Sequence, residues 1–179
     1  MGNRPATPEE ARALANPLRL RILRLCFDRS MTNEELATRL DRDAGTVLHH
    51  VRLLVASGFL EPDEERRGAR GAVERPYRST GKSWTLDVGE NEPGMLAMVD
   101  AFRAELAEIT GDDVHTLTRM AVRLKPEARD AFMARIMDLV TDLHDADDPE
   151  GERYGMMVGL HRLGTQPVRR GAPKAKPTP

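Results

Sequence analysis

Within AGTVLHHVRLLVA, residues 44–56, hydrogen-bonding side chains recur at one helical spacing and aliphatic ones at another. At about 100° per residue, Gly45, Thr46, His49, Arg52 and Ala56 share one arc. Val47, Val51, Leu54 and Val55 gather on the opposite side, with Ala44 above them. A helix anchored by its aliphatic side would present small or hydrogen-bonding groups near its amino terminus. Such groups reach base edges in the major groove of a duplex, where bulk would hold the helix away. His49 is the better placed histidine for a base or a phosphate. His50 lies between the two faces and suits a local hydrogen bond. Adjacent helical residues point about 100° apart, which disfavours one metal ion shared by the pair.

A second set of candidates is cationic. EPDEERRGARGAVERPYRST, residues 61–80, strings Arg66, Arg67, Arg70, Arg75 and Arg78 along a segment with Gly68 and Gly71 at a turn. Short strands at residues 59–61 and 76–80 would make this a two-stranded hairpin. An arginine-rich hairpin beside a groove-reading helix suits phosphate or minor-groove contact.

The elements that must position these residues are legible from their caps. Thr7, Pro8 and Glu10 form a capping-box start for a helix to about Ala15, and Asn16-Pro17 breaks it and opens the next. Residues 17–29 place Leu18, Ile22, Leu25 and Cys26 on one face, with Arg19, Arg21 and Arg24 elsewhere. Thr32 and Glu35 box the start of a third helix ending near Leu40. Thr32 could also offer a hydroxyl and nearby amides to a phosphate. Asp43 caps a fourth helix from Ala44 to about Ser57, closed by Gly58.

LANPLRLRILRLC, TNEELATRL and GTVLHHVRLLVASGFLE together resemble the winged helix-turn-helix of ArsR-type bacterial repressors, over roughly residues 9–82. Of that family's Thr-Val-Ser-x-His-Leu string, Thr46, Val47 and His50 match, and Leu48 stands in the serine position. A leucine there suits contact with a thymine methyl. The resemblance implies a homodimer on double-stranded DNA. Metal sensing, common in the family, does not transfer: Cys26 is the single cysteine, and the third and fourth helices have none. The metal-independent branch is the one implied.

Beyond residue 82 the pattern is helical and methionine-rich. Trp84 is expected to wedge between the two halves. Met95, Val99, Phe102, Leu106 and Ile109 stripe one helix, and Val114, Leu117, Ala121 and Leu124 suggest a short second. Phe132, Ile136, Leu139, Val140 and Leu143 stripe a third from Pro126. Seven of nine methionines follow residue 94, suiting a dimer interface, a small-molecule pocket between subunits, or both. His144 and His161 accompany Asp138, Asp142, Asp145, Asp147 and Asp148. That cluster reads as a solvated helix end, with divalent-metal binding as the alternative. Residues 152–162 alternate Tyr154, Met156, Val158 and Leu160, as a strand would, to pair with residues 83–88 or across a dimer. The proline-rich basic tail is expected to be disordered.

Charge is unevenly divided. Residues 1–82 carry 15 basic against 12 acidic groups, residues 83–165 carry 8 against 17, and residues 166–179 carry 4 against none. The basic groups are 23 Arg and four Lys, which fits a genomic composition bias as well as polyanion contact. One cysteine excludes an intrachain disulfide framework, and Cys26 reads as a small buried apolar residue rather than a reactive thiol. No secretory leader, myristoylation signal or apolar run of about 20 residues is present. Walker, dinucleotide, nucleophile-elbow and HExxH motifs are missing, so no catalytic residue is expected. Paired glutamates such as Glu34-Glu35 and Glu64-Glu65 read as surface charge.

The sequence thus predicts a mainly α protein with a little β (α+β). Residues 1–82 form a winged helix-turn-helix, residues 83–165 a helical dimerisation and effector region ending in a short strand, and residues 166–179 a tail. The expected function is a cytoplasmic, homodimeric, sequence-specific DNA-binding repressor with no cofactor, no resident metal and no membrane attachment. The expected DNA contacts are Thr32, Gly45, Thr46, Leu48, His49, Arg52, Arg66, Arg67, Arg70 and Arg75. Met95, Val99, Phe102, Leu106, Phe132, Ile136, Leu139 and Leu143 are the expected dimer contacts. A small-molecule effector is left open, and the rival readings are a protein-interaction adaptor and a metal-responsive repressor.

Overall fold

Thr7 and Thr32 open their helices in the same way, each hydroxyl accepting from an N–H three residues on while that residue's carboxylate accepts the threonine's own N–H. The computed structural model describes residues 4–68, 71–87, 92–148 and 150–163. After β1 (Arg4–Pro5), the Thr7 box starts α1 (Pro8–Leu14), and Asn16 caps α2 (Pro17–Asp28). The Thr32 box starts α3 (Asn33–Leu40), which Asp41 ends in a left-handed conformation at φ 50°. Asp43 caps α4 (Ala44–Ala56), and Gly58 at φ 70° turns the chain out of it. Each cap satisfies amides that the helix leaves unpaired, worth about 1 kcal/mol apiece.

The first unit, residues 1–118, is built on one core. Ile22, Leu36, Val47, Val51, Leu54, Phe59 and Leu60 are each 2% exposed or less. Burying such a side chain contributes about 1.5–3 kcal/mol, so α2, α3 and α4 are held chiefly by these contacts. Leu18, Leu25 and Val55 pack partly against them. Ala44, expected above the α4 stripe, is exposed instead.

The hairpin follows. β2 (Leu60–Pro62) pairs antiparallel with β5 (Tyr77–Ser79), and β3 (Arg66–Arg67) with β4 (Val73–Glu74). Gly71 takes φ 77° at the tip, where a side chain would be strained. Met31 and Tyr77 exchange both backbone hydrogen bonds at 3.0 and 2.8 Å, fastening the hairpin base to the start of α3. A 3₁₀ turn, Lys82–Thr85, leads to β6 (Leu86–Asp87), which pairs parallel with β1. Trp84 in that turn is half-exposed, not wedged in a core.

α5 (Glu92–Leu106) packs on α2 and α1, and contacts place it in the first unit. The face it buries is Ala97 and Ala101, because small residues let two helices approach closely. The stripe expected to make dimer contacts lies off that face: Met95 and Val99 are exposed, with Phe102 and Leu106 half-buried. Residues 114–124 form no helix beyond a 3₁₀ turn at Gly111–Asp113. Leu117, Met120 and Val122 there are exposed, and an isolated short segment without a buried face does not hold helix.

In the second unit, residues 119–179, α6 (Pro126–Asp145) runs 20 residues without a buried side chain. Residues 152–163 form no strand. Gly155 and Gly159 weaken the segment, and residues 86–87, within its expected partner, pair with β1 instead. The proline-rich tail lies outside the described residues. The fold is α+β, a winged helix-turn-helix with further helices.

Candidate nucleic-acid interface

Asp43 sets where α4 begins. Its Oδ1 accepts the Thr46 N–H at 3.0 Å, and a Cβ on Gly45 would meet that same oxygen at 3.0 Å. Glycine at 45 thus leaves room for the cap as well as keeping the exposed arc low. Gly45, Thr46, His49 and Arg52 are all exposed along α4, opposite buried Val47, Val51 and Leu54. Leu48 is half-buried at the edge of this arc.

The two histidines separate in role. Their rings meet edge to face at 5.5 Å, with His49 exposed and His50 half-buried. Nδ1 of His50 is buried and has no hydrogen-bond partner among the described residues, so the expected local bond is not formed. Burial, then Arg19 and His49, lower the His50 pKa.

Thr32 is 7% exposed, and its hydroxyl is engaged in the α3 cap. That burial withdraws its side chain from an approaching phosphate. Arg70 lies outside the described residues. Arg67 and Arg52 are exposed and form no ion pair among the described residues. The other hairpin arginines are paired. Arg66 Nη2 lies 2.7 Å from Glu35 Oε1 and its Nε 3.3 Å from Glu74 Oε2. Arg75 meets Glu65 at 2.7 Å, and Arg78 meets Glu61 at 3.0 Å. The glutamates read as plain surface charge therefore include the arginines' counter-ions. Two of the pairs are cross-strand neighbours, Arg66 with Glu74 and Glu61 with Arg78, a signal readable once register is known.

The fold brings Arg52 of α4 and Arg75 of the hairpin to one shallow groove, completed by Val55, Ala56, Pro62 and Tyr77. A second depression, at the α3–α4 turn, carries Glu34, Asp41 and Asp43 against Arg42. Three carboxylates against one guanidinium leave that depression acidic. Arg21 and Arg39 both pair with Glu108, and Arg24 pairs with Glu105 at 3.0 Å. These contacts fasten the end of α5 to α2 and α3.

Among the described residues no three His, Cys, Asp or Glu side chains converge as a metal site. No described helix is long and apolar enough to cross a membrane.

The family model for a helix-turn-helix domain matches residues 14–63, the span from the end of α1 to the first strand of the hairpin. Over those residues the chain is similar to a helix-turn-helix domain. Transcription regulators hold duplex DNA with such a domain, entering the groove with its second helix. That helix is α4 here, and the hairpin is its wing. No curated protein matches the chain closely enough to count as a relative. Among solved structures, the chain is similar to reduced HlyU from Vibrio cholerae at 20% identity. That likeness covers 49% of this chain and 77% of that one, with a TM-score of 0.33. It is similar to the transcriptional regulator SlyA at 12% identity, over 72% of this chain and 75% of that one, with a TM-score of 0.31. At these scores neither likeness adds to the domain match.

Proposed function

We propose that this protein is a cytoplasmic, homodimeric, sequence-specific DNA-binding repressor, a binding protein without catalytic chemistry. The observation that carries the reading is the exposed arc of Gly45, Thr46, His49 and Arg52 on a helix whose other side buries Val47, Val51 and Leu54. At about 1.5 Å per residue, the 13 residues of α4 span roughly 20 Å, enough to lie along a major groove about 12 Å wide. Thr46 and His49 read bases there, and Leu48 touches a thymine methyl from the edge of the arc. Arg52 and Arg75, sharing one groove, hold a backbone phosphate. Arg66, Arg67 and Arg70 add wing contacts to the flanking backbone.

Two copies read a pseudo-palindromic operator with half-sites about one turn apart. Met95 and Val99 on α5, and Phe132, Leu139 and Leu143 on α6, leave apolar area exposed that a second copy would cover. Phe102 and Leu106 add to the α5 face, and Ile136 adds to the α6 face. The resemblance to metal-independent ArsR-type regulators supports repression, with a small molecule as the candidate inducer.

Selection of bound fragments from a random duplex pool tests the reading. Enrichment of an inverted repeat supports it, and no enrichment sinks it. Arg66, Arg67 and Arg70 changed together to Ala should weaken binding to every duplex. Thr46→Ala or His49→Ala should erode discrimination between sequences instead. The rival reading, a winged-helix adaptor for another protein, is favoured by the carboxylates already occupying the wing arginines, and it predicts no enrichment.

A further inference from the structure

Three of the wing arginines, Arg66, Arg75 and Arg78, are not waiting bare for phosphate. Glu35 divides its carboxylate between two tasks: Oε2 accepts the Thr32 N–H at 2.7 Å, closing the α3 cap, and Oε1 takes Arg66 at 2.7 Å. Glu74 takes the other edge of the same guanidinium at 3.3 Å, so Arg66 sits between two carboxylates. Arg75 and Arg78 have one each. All three guanidiniums are exposed, so these pairs are weak enough for a phosphate to displace.

We propose that Glu35, with Glu74, is a specificity-determining residue: it acts as a built-in counter-ion that suppresses sequence-independent DNA binding by the wing. The inference rests on the DNA-binding reading above and deepens it. An arginine that binds a phosphate on bare DNA releases about 0.9 of a condensed cation. When Arg66 leaves Glu35 and Glu74 to reach a phosphate, two carboxylates are uncovered and gather cations from solution. They also face the polyanion at short range, and like charge at an interface suppresses wrong partners. The net release of ions falls, and with it the affinity for arbitrary sequence. On the operator, base contacts from α4 offset the exchange. The wing therefore engages firmly only where α4 has found its sequence. Glu35 is well suited to this because its position is set by the cap, independently of the wing.

The test measures affinity of the full-length protein for a random-sequence duplex and for a selected operator across a potassium chloride series. Glu35→Gln preserves the capping box, since glutamine also serves at that position, while Glu74→Gln removes the second counter-ion without touching a helix. The double variant should bind random duplex roughly three- to tenfold more tightly, with a salt slope steeper by roughly 0.9. Operator affinity should rise less, so the ratio of specific to non-specific binding falls. Arg66→Ala in that background should cancel the gain. Glu34→Gln removes a neighbouring charge that forms no ion pair among the described residues, and should leave the slope unchanged. Equal effects from Glu34→Gln and Glu35→Gln, or an unchanged slope in the double variant, would overturn the inference while leaving DNA binding intact. Failure of the wild type and every variant to bind any duplex would instead overturn the underlying reading.

Discussion

Lys82 donates from its ammonium to the Ser57 carbonyl at 2.6 Å, at the carboxy-terminal end of α4. A cation there complements the negative end of the helix dipole. The same ammonium lies 2.8 Å from Glu10 Oε1 and 4.9 Å from the centroid of the Phe59 ring. Gly58, at φ 70°, turns the chain out of α4 beside this ammonium. Glu10 in turn accepts from both terminal nitrogens of the Arg4 guanidinium, at 2.7 and 2.9 Å, and from the Thr7 N–H at 2.8 Å. One buried carboxylate thereby ties the start of α1, β1 and the end of α4.

The Glu10 knot predicts an acid-sensitive step. Hydrogen bonding from Arg4, then from Lys82 and the Thr7 amide, holds the Glu10 carboxyl far below its ordinary value of 4.5. The unfolded chain therefore takes up that proton first. Stability from the knot is complete above pH 4.5 and drains as pH falls below it. Thermal unfolding between pH 7 and pH 3 should show Glu10→Gln less stable at neutral pH and flatter in its acid slope. A variant slope parallel to the wild type would refute the account.

A second pH effect belongs to His50. Burial lowers its pKa below the ordinary 6.5, so the unfolded state gains a proton before the folded one. Stability is then lost as pH falls below 6.5. His50→Leu removes a buried Nδ1 that lacks a partner and should be neutral to stabilising, with this slope reduced. His49→Ala, one residue away and exposed, should leave stability unchanged and alter DNA recognition. Denaturant midpoints at pH 5.5 and 7.5 check both.

The start of α4 is tested by a double-mutant cycle. Asp43→Ala removes the cap on Thr46 and should cost about 1 kcal/mol. Gly45→Ala adds helix propensity worth up to about 1 kcal/mol, opposed in the wild type by contact with the Asp43 carboxylate at 3.0 Å. Gly45→Ala should therefore be more favourable in the Asp43→Ala background. Strict additivity in urea unfolding would exclude the crowding.

Cys26 offers a probe of global opening. The side chain is fully buried, and burial pushes its thiol up to about 12. At pH 8 a maleimide should label the folded protein only as fast as the unit unfolds, and promptly in denaturant. Immediate labelling under native conditions would contradict the burial.

The sequence alone determined the local structure of residues 7–58. Thr7, Asn16, Thr32 and Asp43 are caps whose partners lie three residues away, and the α4 faces follow from helical spacing. Such interactions need nothing distant, so they are readable from order along the chain. The hairpin was legible for the same reason, through Gly71 and its flanking strands. Tertiary structure decided which faces are buried. α5 turned its alanines inward, Leu117, Met120, Val122, Met156 and Val158 stayed exposed, and β6 was taken by β1. It also decided the charge state of the interface. Glu35 is 31 positions from Arg66, and only the folded hairpin brings that carboxylate onto the guanidinium. Arg52 and Arg75 share a groove for the same reason. Interactions between distant positions depend on packing and register, which the local sequence does not encode.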